Sequence, residues 1–234
     1  MAQKLETMSS EAATRNLSFS AALERLADLE LEARHHRAIE RRFKLSRLPA
    51  QPTLDQFHFA HHKSRQLAKS RILRLLEMGF LKQGTSVVII GNPGVGKTFL
   101  AQILGWRACQ ANLRVLFTTA MDMLNHLLAA QVDHSLVRKL KVYTEPTALI
   151  VDELGYLALD QQTSNLFYQV ISTRHAHKRS SIITTNTAFS DWGNILYNTT
   201  IAAAIADRLV ENSEIFLLGG ESLRKAQKGP PPAS

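Results

Sequence analysis

Cysteine is almost absent: Cys109 stands alone in 234 residues, so no disulfide forms within the chain. No apolar run approaches the ~20 residues that a membrane-spanning helix needs. The polar beginning "MAQKLETMSSEAATR" has no apolar core of a secretory leader. These absences exclude a disulfide scaffold and a helical membrane protein, and the expectation is a soluble, cytoplasmic protein with no membrane partner. Acidic residues are short, 20 against 28 lysines and arginines, and the net charge of +8 favours a polyanionic partner, nucleic acid before a membrane surface. No helix-turn-helix, zinc-finger or aromatic stacking motif is present, so such a partner would be bound without base-specific reading. The pairs His35-His36 and His61-His62 do not make a metal site either. Neighbours on a helix point about 100° apart, and no cysteine or spaced acid completes a tetrahedral set.

Enough apolar sequence remains, 45% of residues, for a large packed core. Three regions are expected. Residues 1–54 form a helical appendage with a linker: "LSFSAALERLADLELEARHHRAIERRFKLSRL" combines leucines at helical spacing with a growing basic excess, and "PAQP" interrupts it. Residues 55–226 form the main domain, and residues 227–234, "KGPPPAS" with its preceding residue, form a disordered tail. Charge is uneven between them: residues 1–80 hold 14 basic against 9 acidic residues, a net +5, and the remaining 154 only +3. From residue 86 onward, "SVVII", "RVLFTT", "TALIVDE" and "SIITTN" alternate with helical patterns. This means βαβ units around a parallel sheet buried on both faces, an α/β fold. Cys109 falls in the helix after the first of these strands and reads as core packing.

The first strand runs directly into "GNPGVGKT". Gly91, four residues, then Gly96, Lys97 and Thr98 is the spacing of a Walker A loop. Glycines let successive backbone N–H groups turn inward, and the next helix presents its N-terminus to the same point, so an anion is held there. Gly91, Asn92, Pro93, Gly94, Val95, Gly96, Lys97, Thr98 and Phe99 are therefore the expected nucleotide-binding residues. Lys97 reaches the β- and γ-phosphates, and the Thr98 hydroxyl ligates Mg²⁺. "ALIVDEL" reads as a buried strand delivering two acids to the ligand-binding edge of the sheet. Asp152 would hold Mg²⁺ and Glu153 would activate the attacking water, which points to ATP hydrolysis with ATP and Mg²⁺ as the cofactors. Asn186, at the tip of "SIITTN", could hydrogen-bond the γ-phosphate or the water, or be a turn-forming residue. Arg208 lies on a helical pattern in "IAAAIADRLV", and Arg224 follows a Gly-Gly turn.

These segments together resemble the AAA+ ATPases of the DnaA/DnaC-like clade, and most closely the IstB-type helper ATPases of insertion sequences. The resemblance rests on "GNPGVGKTFLA", "ALIVDELGYL", "SIITTNTAFSDWGNIL", "IAAAIADRLVENSEIFLLGGESLR" and the leucine- and arginine-rich start. It implies a five-stranded parallel sheet flanked by helices with a small N-terminal helical appendage. It makes Asn186 the sensor 1 residue, Arg208 an arginine finger reaching a neighbouring subunit's γ-phosphate, and Arg224 a sensor 2 candidate. "ESLR" departs from the more usual Ser-Tyr-Arg, so Leu223 stands at an aromatic position. Self-association with ATP on duplex DNA and stimulation of a partner transposase come from the resemblance alone.

Two basic groups are candidate DNA contacts. The stretch "AMDMLNHLLAAQVDHSLVRKLKVYTEP", between the second and third strands, is longer than a single crossover helix needs. It carries Arg138, Lys139 and Lys141 with no matching acids expected nearby. Arg41 and Arg42, with Lys44 and Arg47, form the other group, which could instead dock the transposase or the next subunit. A helicase loader of the same clade is the alternative function. A small-metabolite P-loop kinase leaves Asn186 and the basic start unexplained, and a DNA-packaging protein using ATP only as glue is a further class.

Overall fold

The computed structural model describes residues 18–155 and 158–223. The chain divides into two compact units between Arg41 and Arg42, ahead of the proline-marked segment. The first described helix, α1 (Phe19–Ser46), crosses that division. Within the first unit, Glu30 accepts from both Arg34 and Arg37, one and two turns on, which holds its carboxyl below the usual range. In the second unit, residues 42–54 are anchored by contact: Arg42 Nε donates to Asn112 Oδ1 at 3.0 Å, Phe43 packs edge-on against Trp106, and Leu48 is buried.

The rest of the second unit is a three-layer α/β sandwich. In chain order it holds α2 (Lys63–Leu75), α3 (Gly79–Gln83), β1 (Ser86–Gly91), α4 (Lys97–Gln110), β2 (Val115–Thr119), α5 (Ala120–Val132), α6 (Leu136–Thr144) and β3 (Ala148–Leu154). Then come α7 (Gln161–Ala176), β4 (Ser180–Thr185), α8 (Trp192–Ile195), α9 (Thr199–Glu211) and β5 (Ser213–Leu218). The five strands are parallel in the order β2-β3-β4-β1-β5. β1 is therefore central, and Val87, Val88 and Ile89 are completely buried. Alternation sends Ile150 and Ile182 to one face, with Leu100 and Leu104 of α4 and Ile72 of α2. Leu149, Val151 and Ile183 face the other way, onto α5, α7 and α9. Cys109 packs in the first of these cores, where burial pushes its thiol pKa up.

Helix starts follow local chemistry. Asp160 accepts from the Thr163 N–H at 2.8 Å at the head of α7, and Asn198 accepts from the Ile201 N–H at 2.9 Å at the head of α9. The long stretch between β2 and β3 becomes two helices, α5 and α6, as its length requires. Because every strand runs the same way, the ends of β1, β3, β4 and β5 share one edge, and the chemistry-bearing residues gather there.

Candidate nucleotide-binding site

The loop after β1 turns through Pro93 and Gly94 into α4, whose N-cap is Gly96. Gly94 has φ +83° and packs so tightly against Ser222 that a Cβ would overlap the Ser222 side chain. The Leu223 N–H donates to the Gly94 carbonyl at 3.1 Å, so the segment after β5 closes over the loop. Lys97 is buried, and its Nζ donates to the Asn92 carbonyl at 2.9 Å. Thr98 Oγ1 donates to Asp152 Oδ1 at 2.9 Å, which sets a hydroxyl and a carboxylate side by side at the mouth of the loop.

β3 supplies both acids through an irregularity. An undisturbed strand would point Asp152 and Glu153 to opposite faces. The register to β4 instead shifts between Val151 and Leu154, and Glu153 takes φ 61°, a left-handed conformation that costs a non-glycine residue about 1–3 kcal/mol. Asp152 stays buried while Glu153 turns out into the pocket. Thr184 fixes the arrangement: its hydroxyl donates to Asp152 Oδ1 and accepts from the Glu153 N–H at 3.0 Å. The result is a pocket of about 570 Å³ lined by Gly94, Gly96, Lys97, Thr98, Phe99, Glu153 and Thr184, with Gln56, His58, Gln102 and Leu223 at its walls.

Asn186 follows β4 on the same edge. Its Oδ1 accepts from Thr187 Oγ1 at 3.1 Å and lies beside Gly155, where a Cβ would approach it to 3.0 Å. Arg208 is elsewhere. It faces a hollow formed by Gly84, Ser86, Ser181, His175 and Asn212, at the opposite edge of the sheet, where β1, β4 and β5 begin. Its Nη1 donates to the Ala204 carbonyl at 2.8 Å, and its guanidinium lies 4.9 Å over the Tyr168 ring. Arg224 lies outside the described residues.

The basic candidates separate. Arg138 and Lys141, one turn apart on α6, are exposed and border a shallow hollow with Val137 and His134. Lys139 is half-buried, and its charge helps to lower the pKa of His126. The expectation that no acid stands near this helix is corrected: Asp133 borders the same hollow. Hydrogen bonds from the Ser135 side chain and backbone, and then the charges of Lys139 and Arg138, hold its carboxyl below the usual range. Asp133 stands in the turn between α5 and α6, three residues before α6 begins, and is hard to place from sequence because the pattern left the helix boundary open. Arg41 is exposed in the first unit, and Arg42 in the second is engaged by Asn112. Sequence reasoning passed over Thr184, Gln56, His58 and Arg65; a threonine in a β-rich run and a basic residue in a helical one carry no local signal.

The family model for IstB-like ATP binding proteins matches residues 1–230. This chain belongs to that family. An ATP-binding protein of insertion sequence IS5376 from Geobacillus stearothermophilus is 38% identical over 228 residues, covering 97% of this chain and 90% of the relative. Among solved structures, the DnaC helicase loader matches with a TM-score of 0.59 at 22% identity, over 67% of this chain and 91% of that one. AMPPCP-bound DnaA from Aquifex aeolicus matches with a TM-score of 0.62 at 18% identity, over 74% of this chain and 51% of that one. At such identities the likeness speaks for the fold alone.

Proposed function

We propose that this IstB-like protein hydrolyses ATP with Mg²⁺ at sites shared between copies of itself, assembles on duplex DNA, and through that assembly stimulates a transposase of the same insertion sequence. The observation that carries the enzymatic part is the chain of contacts Thr98–Asp152–Thr184–Glu153, which holds Asp152 buried against Thr98 and Thr184 and turns Glu153 into the pocket that those threonines line. The Thr98 hydroxyl and the Asp152 carboxylate are adjacent hard oxygen donors, a set that suits Mg²⁺. Mg²⁺ held there would neutralise charge on the β- and γ-phosphates. Lys97 binds the same phosphates as a point charge and exchanges its present contact with the Asn92 carbonyl for them. Glu153, pushed into the pocket by the bulge, orients a water and takes its proton. Asn186, on the neighbouring strand end, is the candidate for contacting the γ-phosphate or that water.

Arg208 starts from the wrong edge of the sheet to serve its own loop, which supports a role in a neighbouring copy's site. Duplex DNA is assigned to the exposed pair Arg138 and Lys141, with Arg41 as a further basic residue, by charge and position. The insertion-sequence role follows the description of the relatives. The test is ATP turnover by the purified protein with and without duplex DNA. Mg²⁺-dependent phosphate release stimulated by DNA is expected, and its absence at saturating ATP would overturn the hydrolytic reading.

A further inference from the structure

Arg65, on α2, is 1% exposed. A buried guanidinium is ordinarily matched by a carboxylate or by a full set of acceptors. Arg65 has neither: no carboxylate lies within ion-pair distance of it among the described residues, and its Nε has no hydrogen-bond partner. Its Nη1 donates to the His58 carbonyl at 3.0 Å, and its planar head lies 4.3 Å over the Phe57 ring. The remaining contact is the informative one. Nη2 donates to the carbonyl of Val95, inside the phosphate loop, at 2.6 Å.

A trans peptide points its N–H opposite to its C=O. Drawing the Val95 carbonyl down to Arg65 therefore aims the Gly96 N–H away from Arg65, toward the open side of the loop. The loop accepts this because Gly96 has φ +85° and no side chain: a Cβ there would stand 2.5 Å from Arg65 Nη2. A cationic donor on the carbonyl also polarises the peptide and makes its N–H a stronger donor. Burial lowers the pKa of Arg65 from the ordinary arginine value, yet an arginine remains charged at neutral pH. A positive charge with no carboxylate at ion-pair distance among the described residues thus stands directly behind a loop built to hold an anion.

We infer that Arg65 is a positioning residue of the nucleotide site: it sets the Val95–Gly96 peptide so that the Gly96 N–H donates to bound phosphate, and that phosphate is the counter-ion of its buried charge. This rests on the reading of the loop as an ATP site. It predicts that affinity for the phosphates, and not for the nucleoside, depends on positive charge at position 65.

The experiment measures ATP and ADP binding by calorimetry, and adenosine binding by ligand-observed NMR, for the full chain and for Arg65→Lys, Arg65→Gln and Arg65→Met. Each variant is first shown to melt cooperatively, and two neutral variants are made so that one can fail to fold. Arg65→Gln and Arg65→Met should weaken ATP and ADP tenfold or more with adenosine unchanged within about twofold, while Arg65→Lys should retain ATP affinity within about threefold. ATP affinity of a neutral variant equal to that of the parent would overturn the inference, as would Gln performing like Lys, or loss of adenosine binding in parallel, which marks a brace without an electrostatic role. Lys97→Ala is the control: if it binds ATP like the parent, or the parent binds none, the ATP-site reading itself falls and takes this inference with it.

Discussion

Each edge of the sheet buries an arginine, and the two are treated in opposite ways. At the edge where strands begin, Arg174 is 1% exposed and fully engaged: its Nε donates to Ser181 Oγ, and its two terminal nitrogens reach the carbonyls of Tyr143, Thr144, Pro146, Thr147 and Ser180. It ties the end of α6 to the starts of β3 and β4. At the edge where strands end, Arg65 keeps an unpaired Nε and Glu153 sits in a left-handed conformation. The saturated end holds the fold together. The unsaturated end stores strain and unbalanced charge where a ligand can relieve them.

Substitutions at the two edges should therefore break different properties. The largest effect on stability belongs to Arg174→Met, which leaves several buried carbonyls without a donor and should cost about 3–5 kcal/mol in denaturant unfolding. A melt indistinguishable from the parent's would refute the contrast. Arg208→Ala should instead leave the melt nearly unchanged and lower ATP turnover about 10³-fold, the worth of an arginine finger. Glu153→Gln keeps the shape of the pocket and loses the base, so turnover should fall roughly 10²-fold with ATP still bound. Retained turnover in this variant would remove Glu153 from catalysis.

The smaller effects sharpen the picture of α6, which Arg174 anchors. Arg138→Glu with Lys141→Glu should weaken duplex binding about tenfold or more and flatten its salt dependence by roughly two ion equivalents, with ATP affinity intact. Lys139→Glu alone should do less, since that side chain is half-buried. The least effect is expected at His126, whose Nδ1 meets the Tyr143 hydroxyl at 2.7 Å. Desolvation first, then the charges of Lys139 and Arg47, lower its pKa, and Asp133 partly opposes them. With the folded pKa below the unfolded value near 6.5, the unfolded chain binds more protons in that window. Stability should thus rise with pH through the window and be lost as pH falls below it, and His126→Gln should flatten that part of a pH-stability curve.

How much of this was legible beforehand follows from where the information is stored. The Walker A loop and the acids of β3 could be located because the pattern fixes residue types and spacing at strand ends, the strand runs were readable from β-branched sequence, and Asn186 was placed at the end of β4, where it lies. Thr184 was not, because its role depends on β4 lying beside β3 in a strand order that no local pattern encodes. The bulge that turns Glu153 outward is likewise a product of pairing. Arg65 looked like any basic residue of a helix until the fold brought it beneath the loop. The three basic residues of α6 read as one cluster in the sequence, but helical phase separates Lys139 from Arg138 and Lys141.

The central claim is that the cradle at one edge is completed by an arginine from the other edge of a second copy. Arg208→Ala keeps a working cradle and Lys97→Ala keeps a working finger, so neither alone should hydrolyse ATP well. Mixed together, with joint assembly verified by crosslinking, they should regain part of the parental turnover at interfaces that pair an intact cradle with an intact finger. No regain in a crosslinked mixed assembly would contradict the account and place Arg208 in its own subunit's structure.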